Sequence, residues 1–396
     1  MSSITDAPPR QAGLAQLILL LAGSCLSVLG AVLIAPVLPQ MTDHFASVPG
    51  ADALVPIVLT VPALIIGLTA PFAGFIADRI DRKRVLIVAM VGYSIFGTAP
   101  LHLDSLSTII GSRVLVGLCE AAIMTCCTTL IADYWSGSRR SRYLGLQTLL
   151  ASVSATVFLG IGGALGSSGW RTPFWLYTVA VLLAVPMALL IWQPARAASA
   201  ALPPIPWRRL RVPCLVTLAG GVVFYALIVE LSFVLDEVGV TATATIGALS
   251  ALMSLATAVA AGSFAKLSRQ TPHTLLPIAF GLAAAGFLVI AATPSVPVIT
   301  FGAVLTGAGT GLLLPTLLTW ATNGLSFEER GRGTGLWTGT LFIGEFLSPV
   351  LITGVGAAVG GLRPALGLLG VVAAILAVAM LAVVPRDAPR LDVTHG

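Results

Sequence analysis

Charged residues make up only 9% of this 396-residue chain, 21 Lys and Arg against 16 Asp and Glu. So few charges cannot solvate a protein whose residues are 57% hydrophobic, which excludes a water-soluble globular chain. The excess of +5 is scattered over short segments, so nucleic acid finds no basic face and is not an expected partner. Cysteine is scarce: Cys25, Cys119, Cys126, Cys127 and Cys214 lie in or beside apolar runs, without a Cys-x-x-Cys spacing. That pattern argues against disulfides and structural zinc. His44, His102, His273 and His395 fall in loops or tails, so no histidine relay is indicated. The chain has no phosphate-cradling Gly-x-x-x-x-Gly-Lys loop, no His-Glu-x-x-His and no nucleophile elbow. No metal or other cofactor is expected, and no enzyme site is legible.

What the chain has instead is a succession of long apolar runs, with a mean hydropathy of +0.99. Twelve runs are long enough to span a bilayer, at roughly 13–39, 53–76, 85–101, 106–132, 143–166, 172–193, 212–235, 243–265, 274–293, 296–322, 334–359 and 363–384. The first exceeds the core of a signal peptide and is read as a retained span. The fold class is therefore an all-α polytopic membrane protein with twelve transmembrane helices. With the N-terminus inside, 18 of the 21 basic residues fall on cytoplasmic segments, where short basic loops stay. Both termini are then cytoplasmic, in a multi-pass protein of a bacterial inner membrane, with anionic lipid headgroups against the basic loops. Arg171 and Arg363 fall outside, and Arg113 lies within span 4.

The two outer arginines expose an internal repeat. Gly169-Trp-Arg-Thr-Pro precedes span 6 and Gly361-Leu-Arg-Pro precedes span 12, and other glycine and arginine positions recur at a similar offset. The expected organisation is a tail at 1–12, a six-helix bundle at 13–193, a linker at 194–211, a second bundle at 212–384 and a tail at 385–396. The even number of spans gives the two bundles the same orientation.

One turn carries unusual charge. From Asp78 to Arg84 only Ile80 is uncharged, between two spans nearly free of charge. Its order Gly74, Asp78, Arg79, Arg82, Lys83 resembles the loop between helices 2 and 3 of the major facilitator superfamily, with Asp81 where a second glycine is usual. Arg113-Val-Leu-Val-Gly117 with Ala121 resembles an element of the proton-coupled drug and metabolite efflux branch. Gly162-Gly163 resembles the glycine pair of helix 5 in drug antiporters, although Phe158-Leu159 replaces the preceding Gly-Pro. The resemblance spans the chain. It implies the two-bundle major facilitator fold and a cytoplasmic gate formed by Gly74, Asp78, Arg79 and Arg82, which Asp133 at the end of span 4 is placed to join.

Four ionisable residues lie inside spans: Arg113, Glu120, Glu230 and Glu345. A charge near a helix centre costs roughly 2.5–3.5 kcal/mol or more, so each should face the protein interior. Arg113 and Glu120 share one face of span 4 about 10 Å apart, too far for a direct pair. Arg113 acts at the site or only ties span 4 to neighbouring backbone carbonyls. Glu120 and Glu345 carry a proton, contact substrate or hydrogen-bond another helix as neutral acids. Glu230 is a site residue or an exposed residue of the outer vestibule, and Gln147 is placed to face the cavity. Tyr177, Tyr225, Trp320 and Trp337 contact an organic substrate or anchor span ends. The expected function is export of a small organic compound by proton antiport, working as a monomer. The alternative is a proton-coupled importer or facilitator of a metabolite.

Overall fold

The computed structural model describes residues 11–79, 81–194, 206–386 and 391, and for residues 73–79, 327 and 328 it describes the backbone alone. Most of the 194–211 linker and both tails, apart from Gln11, Ala12, Pro385, Arg386 and Leu391, lie outside the described residues. Among them are twelve helices long and apolar enough to cross a membrane. Span 1 is α1 (Leu14–Val32) continued by a short 3-10 turn, Ala35–Val37, and α2 (Leu38–His44). Spans 2 to 6 are α3 (Ala51–Arg79), α4 (Arg82–Thr98), α5 (Leu106–Tyr134), α6 (Gly137–Gly166) and α7 (Val179–Leu190), the last preceded by a 3-10 segment, Thr172–Thr178. Spans 7 to 12 are α8 (Trp207–Glu237), α9 (Thr243–Leu267), α10 (Pro272–Ala292), α11 (Val296–Asn323), α12 (Phe327–Val359) and α13 (Leu362–Val383).

All twelve spans coincide with apolar runs, and the helices α3, α6, α8 and α12 extend beyond them into charged residues at the basic end. Hydropathy marks where hydrocarbon ends, whereas a helix continues for as long as its backbone hydrogen bonds are satisfied and its end is capped. Ser326 and Glu329 form a reciprocal capping box at the start of α12. Asp81 caps α4 by accepting the Arg84 N–H at 3.1 Å, which gives the residue in the usual glycine position a structural task.

Buried side chains form two hydrophobic cores. One draws on residues from Leu17 to Ile191, together with Tyr225 and Val229, and the other runs from Leu210 to Val384. The two outer arginines serve these bundles in the same way. Arg171 donates to the carbonyls of Pro100 and Leu103 past the end of α4 and pairs with Asp104 at 2.6 Å, and Arg363 donates to the Ala291 carbonyl at the end of α10. A cation on the last carbonyls of a helix satisfies orphan acceptors and opposes the helix dipole. That local task overrides the preference of basic residues for the other end.

The bundles meet along two glycine-lined seams. At α3–α12, a Cβ on Gly339 would lie 2.7 Å from the Gly67 carbonyl, and one on Gly335 3.0 Å from that of Ala70. At α6–α9, a Cβ on Gly163 would lie 2.6 Å from the Gly247 Cα, and Thr156 bonds Ser254 at 3.1 Å. The α6–α9 seam is one-sided. In α6 the buried residues are Leu159, Gly162, Gly163 and Gly166, all in its last third, and in α9 they stop at Ser254. The α6–α9 seam is therefore closed at the end opposite the basic loops, and the basic-end halves of α6 and α9 carry no buried residue. The α3–α12 approaches lie instead in the basic-end halves of those two helices.

Candidate functional site

The break in span 1 creates the centre of the site. Pro36 has no N–H to give the preceding turn, so α1 stops at Val32 and leaves carbonyls without helical donors in the middle of the molecule. Arg113 of α5 donates its Nη2 to the Gly30 carbonyl at 3.1 Å. Its Nε donates to the Val58 carbonyl of α3, also at 3.1 Å. Val58 is the residue whose helical donor would have been the missing N–H of Pro62. Tyr225, from α8 of the other bundle, donates its hydroxyl to the Ala31 carbonyl. Tyr93 of α4 donates to the Leu26 carbonyl at 2.6 Å. Two prolines thus open the backbone, and an arginine and a tyrosine of other helices close it.

Arg113 is wholly buried, with its guanidinium carbon 5.1 Å from the centre of the Tyr177 ring, so its first task is the tie between backbones. Arg113→Leu would strand two buried carbonyls at about 1–3 kcal/mol each. A clear fall in melting temperature in detergent is expected, and an unchanged value would refute the tie.

Glu120 stands seven residues along α5, 1% exposed, with its Oε1 unpartnered. Gly30 makes room for it: a Cβ there would collide with the Glu120 carboxyl and lie 3.2 Å from the Tyr93 hydroxyl. Tyr93 and Tyr177 rings lie 5.0 Å apart beside this group. Glu345 on α12 is 5% exposed, next to Gly344, whose missing side chain admits the α8 backbone at Leu218. Tyr225 lies within electrostatic reach of Glu345, Glu120 and Arg113 together. One tyrosine is therefore within electrostatic reach of acids of both bundles.

The structure brings Arg113, Glu120, Tyr177, Tyr225 and Glu345 to one centre. Gln147 on α6 is half-buried toward the basic end, donating to Ser24 at 2.7 Å and to Thr128 at 3.0 Å. Glu230 belongs elsewhere. It is 4% exposed near the far end of α8, so the reading of an exposed vestibule residue is corrected: Val223, Ala226 and Val234 on the same face of α8 belong to the buried core of the second bundle. Arg82 and Asp133 form an ion pair at the basic end, and Arg209 faces Glu329 across the corresponding end of the other bundle at 3.7 Å. For Gly74, Asp78 and Arg79 the backbone alone is described. Tyr93 and Gly30 were not singled out from sequence. A tyrosine at the middle of an apolar span was the available signal, since its hydroxyl needs a partner there.

Comparison with known proteins follows the same outline. The family model described as Major Facilitator Superfamily matches residues 20–273 and again residues 213–395. Over 178 residues, 44% of this chain and 43% of the relative, the sequence is 29% identical to "Multidrug resistance protein 2" of Bacillus subtilis. It is 26% identical to "Tetracycline resistance protein, class C" of Escherichia coli over 227 residues, 56% of each chain. It is 25% identical to "Quinolone resistance protein NorA" of Staphylococcus aureus over 201 residues, 48% of this chain and 50% of the relative. The chain spans about half the length of the curated relatives it matches. A bacterial homologue of the human lysosomal transporter Spinster, solved in an inward-facing and occupied conformation, superposes with a TM-score of 0.76 at 19% identity, over 93% of this chain and 95% of that one. The human organic anion transporter MFSD10 (TETRAN) superposes with a TM-score of 0.70 at 16% identity, over 92% and 99%. At these identities the likeness to solved structures carries the fold alone.

Proposed function

Because the chain belongs to the major facilitator superfamily, we propose that it is a secondary active transporter that exports a small organic compound in exchange for protons. The observation that carries this reading is that Tyr225, bonded to the Ala31 carbonyl of span 1, lies within electrostatic reach of both Glu120 of one bundle and Glu345 of the other. Buried acids bind either a proton or a positively charged or hydrogen-bonding group, and Glu120 has Arg113 in electrostatic reach. In this fold a site between bundles is the place for alternating access. Occupancy by one ligand then lowers affinity for the other, by the same factor in both directions. The resistance proteins among the relatives favour export of organic compounds. The basic loops favour a cytoplasmic face at the end where α6 and α9 carry no buried residue, in an inner membrane with both termini cytoplasmic. Arg82 and Asp133 belong to the cytoplasmic closure in this reading, with Gly74, Asp78 and Arg79 beside them, and the working unit is a monomer.

Proteoliposomes test the direction. With a compound first selected by its stabilisation of the purified protein, antiport requires accumulation when the lumen is more acidic than the medium. Import by symport requires accumulation under the opposite gradient. Equal uptake under both gradients would refute proton coupling in either form.

A further inference from the structure

The second bundle carries a cavity of about 370 Å³ between α8, α12 and α13, and none of the central cluster's residues lines it. Its wall is built entirely of alanine, valine, leucine and isoleucine, with no aromatic, polar or charged side chain. A site for a small organic compound sets a few polar groups among its apolar ones to fix the ligand's orientation. A wall without any fits only hydrocarbon. The floor is buried at Val223 and Ile352, while Leu215, Leu368 and Val372 on the rim are exposed. α13 packs on α8, α10 and α12 of its own bundle. The cavity therefore opens as a groove on the outer surface of the bundle, at a depth where a bilayer presents acyl chains.

The two ends of the groove differ in charge. At about 100° per residue, Arg208 and Arg211 fall within about 40° of Leu215, on the face of α8 that continues through Ala219 and Val222 into the groove. Burial keeps this register past Pro213: Leu210, Pro213, Thr217 and Gly220 are buried on the opposite face, and Arg208, Arg211 and Leu215 are exposed. Neither arginine is ion-paired among the described residues, whereas Arg209 between them turns to Glu329 and the Gly324 carbonyl. Trp207, also exposed, marks this end of α8 as the headgroup level, where indole rings gather. At the other end α8 carries Glu230, Asp236 and Glu237. Arg363 lies there on the face of α13 opposite Ala365 and Val372, held by the Ala291 carbonyl. A negative headgroup is therefore drawn to the basic end.

We propose that this groove binds one anionic phospholipid from the leaflet at the basic end, with its phosphate on Arg208 and Arg211 and one acyl chain laid along α8 between α12 and α13. The lengths agree. At 1.5 Å per residue, Leu215 lies about 6 Å beyond Arg211 and Val223 about 12 Å further, against about 15 Å of hydrocarbon in one leaflet. Arginine suits the headgroup because its planar fork matches phosphate oxygens. A chain already in a bilayer gains no hydrophobic transfer from the groove, so the apolar wall supplies packing and the arginines supply the choice of headgroup. The site does not depend on what the chain transports or in which direction.

Native mass spectrometry of the full-length protein in detergent tests this, as phosphatidylglycerol or phosphatidylcholine with the same chains is titrated in. The first phosphatidylglycerol should bind up to about 30-fold more tightly than the first phosphatidylcholine, about fivefold for each arginine. Raising the salt should shrink that preference. Arg208→Gln/Arg211→Gln should remove it, and Arg139→Gln/Arg140→Gln, on another exposed basic segment, should keep it. Val372→Trp, which fills the groove from its exposed rim, should weaken the first binding of both lipids. Phosphatidylglycerol with a photoreactive acyl chain locates the site, and its crosslinks should concentrate on α8, α12 and α13. A preference that survives Arg208→Gln/Arg211→Gln, or crosslinks spread evenly over the helices, overturns the proposal. If Val372→Trp does not fold, the crosslinks of the parent protein decide by the same criterion.

Discussion

Replacing Glu120 and Glu345 together by glutamine should abolish gradient-driven accumulation while leaving the fold intact. With one proton exchanged per molecule, a difference of one pH unit sustains about a tenfold accumulation. The double variant should fall to about onefold, equilibrating its compound if it moves it at all. Glutamine keeps the volume and a hydrogen-bonding head, so the pocket beside Gly30 and the contact near Tyr225 remain filled. What it removes is the ability to exchange a proton. The comparison is flux under an imposed pH gradient, with the melting temperature of each variant as the control for folding. Accumulation at the parent level in the double variant would eliminate these acids as the coupling groups.

The second large effect is expected at the closed seam. Gly163→Ala places a methyl group 2.5 Å from the Thr243 carbonyl and 2.6 Å from the Gly247 Cα, both backbone atoms that cannot rotate away. Forcing the helices apart there costs about 1–3 kcal/mol, as other overpacked contacts do. Against a conformational equilibrium of a few kcal/mol, that shifts the ratio of closed to open by roughly 5–150-fold. Gly160→Ala, three residues earlier on the same helix, meets nothing within 4 Å and should behave as the parent. Accessibility of a cysteine at this end to an impermeant thiol reagent separates the two. Equal labelling of the Gly163 and Gly160 variants would show that the close approach does not hold this end shut.

Much of the site was visible as anomaly. Arg113, Glu120, Glu230 and Glu345 stood out because hydrocarbon makes any charge conspicuous, whatever its neighbours. Their partners were not visible. Arg113 offered two readings from sequence, and the structure places its donors on the carbonyls of Gly30 and Val58. The Val58 carbonyl is free because Pro62 withholds its hydrogen, and the Gly30 carbonyl because α1 ends at Val32 just before Pro36. The prolines were visible as possible kinks, but which distant helix supplies the replacement donor depends on how the helices rotate and cross. Tyr225 shows the same limit: its position suggested a substrate contact or an interface anchor, and its hydroxyl reaches a carbonyl 194 residues earlier.

The sequence by itself determined the number of spans, the end on which the basic loops gather, the repeat and the family likeness. Each follows from a rule that acts residue by residue: apolar length against membrane thickness, cations against translocation, spacing against an earlier copy of itself. Tertiary structure decided at which end α6 and α9 are joined, that Asp81 caps a helix, that Arg171 and Arg363 close the ends of α4 and α10, and that Glu230 stands apart from the central acids. These depend on approaches of less than 4 Å between helices far apart in the chain. Small changes in crossing and rotation make or break such contacts while the pattern of apolar and charged residues stays the same.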